Sequence, residues 1–313
     1  RSVTIGGALT VGAIGIVASC RRRRGKPEVV ADTFPIGTGY LQFGSGAKSL
    51  LWIPDPSHTD HIGPSVNRGG AAPKSPYLAM MTRMLLSFVE AGYNIFLVGH
   101  KPNLSHGCTI ADMAEDYAGL IIEEFGGKVD IVVGDSGGGM IGFCLAAQHP
   151  SLFAHIAILV AGYTLDEEFK AANLESAQLN SAGRSTAAAA VMVSFMFPGL
   201  RPAFFARLLA SVMGRLILSA GSDDLVVGAE ALNVFDGRDI LSNITVPVLL
   251  VCCDRDRFVS NTLYQQTADL IPDSKLRLYE GKYHLGALFD KPTPNEILEI
   301  APRYTPPSTS HIV

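Results

Sequence analysis

The sequence predicts an α/β protein built on a mostly parallel sheet with helices on both faces. Three observations point there. Short β-branched apolar runs alternate with stretches of helical spacing, and one such run, residues 128–133, breaks at a glycine-flanked serine and passes into a small-residue helical segment. The third observation is size: 313 residues with 48% apolar content can bury a substantial core.

Composition narrows the function. A net charge of −4 gives no basic field for nucleic acid, and no RNA-binding or zinc-finger pattern occurs, so a nucleic-acid partner is not expected. The five cysteines are odd in number and badly spaced for a disulfide framework. Cys252 and Cys253 are adjacent on a predicted strand and therefore face opposite sides, Cys144 follows the serine on a helix, and Cys108 lies in a loop. These read as buried, inert thiols. No Cys/His spacing suggests zinc, and no metal or organic cofactor is implied.

At the N-terminus, residues 2–20 are apolar or small and uncharged, and Arg21, Arg22, Arg23 and Arg24 follow at once. About 20 apolar residues span a bilayer and arginines are retained on the cytoplasmic side, so a membrane anchor with a cytoplasmic catalytic domain is the favoured expectation. Val17-Ala18-Ser19-Cys20 also resembles a bacterial lipoprotein cleavage box, and a soluble extension is the third reading.

Phe34, Ile36, Tyr40, Leu41 and Phe43, broken by glycines, then predict an antiparallel pair at a sheet edge. Ser49-Leu50-Leu51-Trp52-Ile53 predicts a buried strand ended by Pro54, and residues 55–76, rich in Pro, Gly, Ser and His, a long loop. Leu78, Met81, Leu85 and Phe88 predict a helix over 75–90. A strand at 93–98 and a helix at 110–125, with Met113, Tyr117, Leu120 and Ile121 on one face, lead to the strand at 128–133.

After a helix at 138–149 and a strand at 155–160 the alternation lapses. Residues 165–235 hold helix formers, with apolar clusters at Val191-Met192-Val193 and Phe195-Met196-Phe197 and again from Phe204 to Leu218. A helical cap inserted between sheet strands accounts for this, because such insertions are tolerated at loops and shape binding sites. The Met and Phe clusters read first as cap-to-core packing, and second as a soft lining for an apolar acyl group. The sheet resumes at 246–253, followed by a helix at 261–271, a strand at 275–279 and then His284.

Gly134-Asp135-Ser136-Gly137-Gly138 fits G-x-S-x-G, the nucleophile elbow, whose tight reversal tolerates only small flanking residues. Such a turn lifts the Ser136 hydroxyl above the sheet edge and leaves the Gly137 N–H free to stabilise an oxyanion. Gly-Asp-Ser-Gly-Gly also matches the serine stretch of trypsin-like proteases, but those are all-β, whereas this serine precedes a helical segment. Asp254 and Asp256 stand at the carboxyl end of the 246–253 strand, and His284 follows the next strand. This gives the chain order serine, acid, histidine, and the three types suit a hydrolytic triad: serine requires a base, and the base a carboxylate to fix its tautomer. The plainer alternatives are exposed pairs of Asp254 and Asp256 with Arg255 and Arg257, and a loop histidine of no special role, like His58, His61, His100, His106 and His149.

With these motifs in order, the chain resembles the serine hydrolases of the α/β-hydrolase fold over about residues 33–300. The resemblance implies Ser136 as nucleophile and His284 as base. The family's Gly-x-x-Asp after the strand becomes Cys253-Asp254-Arg255-Asp256 here, which implies Asp256 as the acid with Asp254 in reserve. It implies carboxylesterase or lipase-like cleavage of a small hydrophobic acyl substrate without a cofactor. Thioesterase, peptidase, or a catalytically weak member binding an apolar ligand remain as alternatives. The chain then divides into an N-terminal segment 1–32, a first core part 33–162, a helical cap 163–240, a second core part 241–300 and a tail 301–313.

One departure matters. Relatives place a glycine-containing turn after the strand equivalent to Leu50–Ile53, and the next backbone N–H completes the oxyanion site; this chain has Pro54-Asp55-Pro56-Ser57. Aligned literally, Pro56 falls at the donor position and has no N–H. Either Asp55 or Ser57 donates through a shifted loop, or the site is incomplete.

Overall fold

Strands β1 (Val29–Thr33) and β2 (Gly39–Phe43) form an antiparallel pair in which Val29 faces Phe43, and β2 continues antiparallel onto β4 (Tyr93–Val98). The other neighbours, among β3 (Lys48–Ile53), β4, β5 (Val129–Asp135), β6 (Phe153–Leu159), β7 (Val248–Cys253) and β8 (Ser274–Tyr279), are all parallel. The sheet has eight strands in the order β1-β2-β4-β3-β5-β6-β7-β8. This computed structural model describes residues 29–56, 62, 76–200, 203–216 and 223–300. The expected membrane segment 2–20, the arginine cluster, Ser57 and the tail 301–313 lie outside them. Among the described residues, no helix is long and apolar enough to cross a membrane.

The sheet is buried on both faces, which is why its strands read as continuous apolar runs rather than alternating ones. Along β3, Leu51 and Ile53 enter one core while Leu50 and Trp52 enter the other. Cys252 and Cys253 divide the same way. Helices α2 (Ile110–Glu124), α3 (Gly137–Gln148), α8 (Arg238–Leu241) and α9 (Asn261–Leu270) cover the first face through residues such as Tyr117, Phe143, Leu241 and Tyr264. Helices α1 (Pro76–Glu90), α10 (His284–Leu288) and α11 (Thr293–Ile300) cover the second through Met81, Phe88, Leu288 and Ile297. Thr109 starts α2 with a reciprocal cap: its hydroxyl accepts from the Asp112 N–H at 3.1 Å, and the Asp112 carboxylate accepts from the Thr109 N–H at 2.8 Å.

Between β6 and β7 stand α4 (Glu167–Ser181), α5 (Ser185–Met196), α6 (Ala203–Leu216) and α7 (Asp224–Val234). Phe169 of α4 stacks on Phe258 beyond β7 with ring centroids 4.0 Å apart, and the Asp224 carboxylate of α7 accepts from the N–H groups of Asn103 and Leu104 at 2.9 and 2.8 Å. Phe195 and Met196 are buried as a packing role requires, but Phe204 and Phe205 of α6 are 67% and 51% exposed, so that aromatic pair is not core. Strand β5 runs two residues past the predicted end, because Gly134 and Asp135 still pair with Ile158 and Leu159.

Register carries the ends of β3, β5, β6 and β7 to one rim: Ile53 lies beside Gly134, and Asp135 beside Leu159. The chain turns there so closely that a Cβ on Gly138 would stand 2.1 Å from the Ile53 carbonyl oxygen and 2.6 Å from that of Pro54. Both obstacles are backbone and cannot rotate away. Gly138→Ala is therefore expected to lower stability by about 1–3 kcal/mol or more, as overpacking of a filled site does. A urea midpoint equal to that of the parent would show that β3 and the turn are not in this contact.

Candidate active site

Ser136 sits between β5 and α3 with φ 51° and ψ −123°, a left-handed conformation that costs a non-glycine residue on the order of 1–3 kcal/mol. The surroundings hold it there. Its N–H donates to the Leu159 carbonyl at 2.9 Å and its own carbonyl accepts from Gly139 at 2.9 Å. Gly134 must lack a side chain because a Cβ there would stand 2.5 Å from the Gly138 carbonyl oxygen. The sharp turn anticipated from the motif is thus a consequence of helix α3 starting directly against the end of β5.

His284 begins α10 and bridges two partners. Its Nδ1 lies 2.7 Å from Asp256 Oδ2 and its Nε2 lies 3.2 Å from Ser136 Oγ. With the proton on Nδ1 donated to the carboxylate, Nε2 is left to accept from the serine hydroxyl. His284 is 4% exposed, and Phe258 stacks on its ring at 4.0 Å. Burial by itself would raise the Asp256 pKa, but the adjacent His284, the Tyr264 hydroxyl and the Phe258 N–H hold it below the usual carboxylate value. Tyr264 O–H donates to Oδ2 at 2.5 Å and Phe258 N–H to Oδ1 at 2.8 Å. Asp256 is therefore kept ionised.

Asp254 takes no part in this bridge: its N–H donates to the Tyr279 carbonyl at 3.1 Å, and His284 reaches Asp256 instead. Arg257 pairs with Glu168 of α4 at 2.8 Å. Tyr264 and Phe258 were not singled out in the sequence. Phe258 carried a local signal, since an N–H two residues after an aspartate commonly closes onto its carboxylate. Tyr264 carried none, because its reach to Asp256 depends on how α9 packs against β7.

The oxyanion side departs from expectation. The Gly137 N–H is not free: it donates to Asp55 Oδ2 at 2.9 Å. Asp55 in turn points its own N–H at Asp135 Oδ1, at 3.4 Å, rather than toward Ser136. Donation from the Asp55 backbone to an oxyanion is thus not what this loop offers, and Ser57 is outside the described residues. Trp52 Nε1–H also donates to Asp135. Burial pushes the Asp135 pKa up to about 7; the Trp52 hydrogen bond opposes this and the charge of Asp55 adds to it.

Ser136, His284 and Asp55 open onto a cavity of about 50 Å³, walled by Phe169, Met192, Met196 and Leu232 among others. A second cavity of about 40 Å³ shares Asp55 with the first and includes Asn173, Ser176, Asn180 and Asp224. Among the described residues, no group of three or more His, Cys, Asp or Glu side chains is placed to hold a metal ion.

Asp135 has a consequence for stability. Its folded pKa of about 7 exceeds its unfolded value, so between about pH 4 and pH 7 the folded chain keeps a proton that the unfolded chain releases, and stability falls as pH rises through that window. Asp135→Asn is expected to remove this component, on the order of 2–4 kcal/mol by pH 8. Urea unfolding of parent and variant at pH 5 and pH 8 measures it, and parallel pH dependences would contradict the assignment.

The sequence profile of the family described as alpha/beta hydrolase fold matches residues 92–291. A Yersinia enterocolitica protein named "Putative carbamate hydrolase RutD" is 28% identical over 170 residues, 54% of this chain and 61% of that protein. The match spans less than two thirds of that relative's length. Among solved structures, an esterase from Exiguobacterium antarcticum superposes with a TM-score of 0.63 at 17% identity, covering 86% of this chain and 97% of the other. The enol-lactonase of Burkholderia xenovorans LB400 gives a TM-score of 0.64 at 14% identity, over 87% and 95%. At those identities the two structures speak for the fold alone. On the profile match across more than half of its length, and on an eight-stranded, mostly parallel sheet flanked by helices on both faces, this chain belongs to the alpha/beta hydrolase fold family.

Proposed function

We propose that the protein is a serine hydrolase that cleaves carboxylic esters of hydrophobic acyl groups, with Ser136, His284 and Asp256 as its triad. The observation that carries this reading is one buried imidazole, 2.7 Å from a carboxylate and 3.2 Å from a strained serine. Ser136 Oγ adds to the ester carbonyl carbon while His284 Nε2 takes its proton, and Asp256 stabilises the imidazolium through Nδ1–H. The carbonyl oxygen becomes an oxyanion beside the Gly137 N–H, which must exchange Asp55 for the substrate. Collapse breaks the C–O bond to the alcohol, which leaves with the proton held by His284. Water, deprotonated by the same ring, then frees the acid and restores Ser136.

Apolar walls from α4, α5 and α7 favour an apolar acyl group, and the small cavity favours a short one unless those helices move. We therefore read the helices between β6 and β7 as a cap. The name of the Yersinia relative refers to carbamates, whose carbonyl the same groups would attack, so carbamates belong in the substrate panel with esters, thioesters and amides. A second reading is a weakly catalytic protein that binds an apolar ligand, and the Asp55 contact with Gly137 is what favours it.

Reaction with a fluorophosphonate separates the two. Labelling is expected on Ser136 and absent in Ser136→Ala, and Asp256→Asn is expected to lower kcat on 4-nitrophenyl acetate or butyrate by about 10⁴-fold, because the imidazole loses its tautomer and its counter-charge. A protein that binds an apolar fluorophore but takes no label would establish the binding reading instead.

A further inference from the structure

We infer that Tyr264 is a positioning residue of the triad: its hydroxyl shares one Asp256 oxygen with the His284 imidazole, and so limits how tightly the carboxylate holds a protonated ring. The inference rests on the serine-hydrolase reading above and extends it to the pH range in which the base works. The shared atom is Oδ2, which takes His284 Nδ1–H at 2.7 Å and Tyr264 O–H at 2.5 Å, with the Cys253 thiol at 3.6 Å. Oδ1 takes the Phe258 N–H at 2.8 Å. The tyrosine donor thus falls on the oxygen that holds the base, not on the other one.

Helix α9 puts it there. The Tyr264 N–H donates to the Ser260 carbonyl at 3.0 Å in the first turn, and the side chain is 1% exposed, in the same core as Leu250 and Cys252 of β7. Burial, and after it the charge of Asp256, pushes the phenol well above its ordinary pKa, so Tyr264 remains a donor throughout the working range.

Two donors on one oxygen draw on the same charge. A hydrogen bond to the ionised carboxylate makes it less avid for protons, and a carboxylate whose charge is partly met by a phenol stabilises an adjacent imidazolium less. His284 therefore gives up its proton at a lower pH than it would beside Asp256 alone, and is available as a base further into acid. Removing the phenol O–H returns the full charge of Oδ2 to the imidazolium, so the base becomes protonated at a higher pH.

Other groups face this pair. Cys253 of β7 adjoins Asp256 and Cys252 adjoins Tyr264, but burial pushes both thiols well up, so neither changes charge while the base titrates. Asp55 shares the His284 cavity, and Asp135 of β5, which titrates at about pH 7, feels the His284 charge. Arg257 is paired with Glu168. All of these stay in place when Tyr264 alone is changed, so a difference between parent and variant belongs to the phenol.

The rate at which a fluorophosphonate labels Ser136, measured against pH for the full chain and for Tyr264→Phe, tests the inference. That rate follows the fraction of His284 left unprotonated in the free protein, whatever the natural substrate. Tyr264→Phe keeps the ring and removes only the donor; its acid limb is expected to move up by about half a pH unit to one unit, slowing labelling on that limb by about 3- to 10-fold. A ring-fluorinated tyrosine at position 264, a stronger donor of nearly the same size, should move the limb the other way, and it decides the matter if Tyr264→Phe does not fold. An unmoved limb overturns the inference, and so does a rate lowered equally at every pH, which is what a packing role alone would produce. A parent that takes no label at any pH defeats the hydrolase reading and the inference with it, an outcome distinct from labelling whose pH dependence ignores Tyr264.

Discussion

Everything at the rim depends on three stretches of backbone approaching within van der Waals contact: the end of β3, the end of β5 and the first turn of α3. The Gly138 Cα faces the Ile53 carbonyl so closely that no side chain fits between them, and Gly134 and Gly138 stand in the same relation to each other. Only with the side chains removed can the helix start directly over the strand, and only then is Ser136 forced into its left-handed conformation with its hydroxyl held out toward His284. The strain is small beside what the two buried faces of the sheet contribute, which is why the packing of the whole domain can impose it.

Three aspartates share this rim and behave differently for reasons that lie in their donors. Asp256 is buried yet ionised, because His284, Tyr264 and the Phe258 N–H together outweigh the cost of burial. Asp135 is buried with weaker compensation, from Trp52 and a long contact to the Asp55 N–H, and its proton is held to near neutral pH. Asp55 accepts from the Gly137 N–H, donates its own N–H to Asp135, and lines the cavity beside Ser136. Counting acids would have treated them alike. Counting the N–H and O–H groups aimed at each separates them.

Much of this was legible in the residues. The buried parallel strands announce themselves because both faces are apolar, and the order Ser136, Asp256, His284 survives the long helical insertion between the first two, since register and not sequence distance brings strand ends together. The preference for Asp256 over Asp254 came from the spacing of a resemblance, and its physical reason, the pocket of donors made by Phe258 and Tyr264, appears only when α9 is packed. Gly134 misled the end of β5, because glycine reads as a breaker when here it continues the ladder to let α3 approach. Pro54-Asp55-Pro56 marked a departure, but whether Asp55 turns its N–H or its carboxyl toward Gly137 depends on loop torsions that no periodicity encodes.

The rings of Phe169, Phe258 and His284 lie in one pile, each about a ring's thickness from the next. Phe169 belongs to α4, a wall of the chamber, and His284 is the base of the proposed triad. Any displacement of α4 therefore disturbs a ring that also rests on the imidazole. The wall of the chamber and the imidazole thus share one phenyl group as a common neighbour, so what bears on one bears on the other.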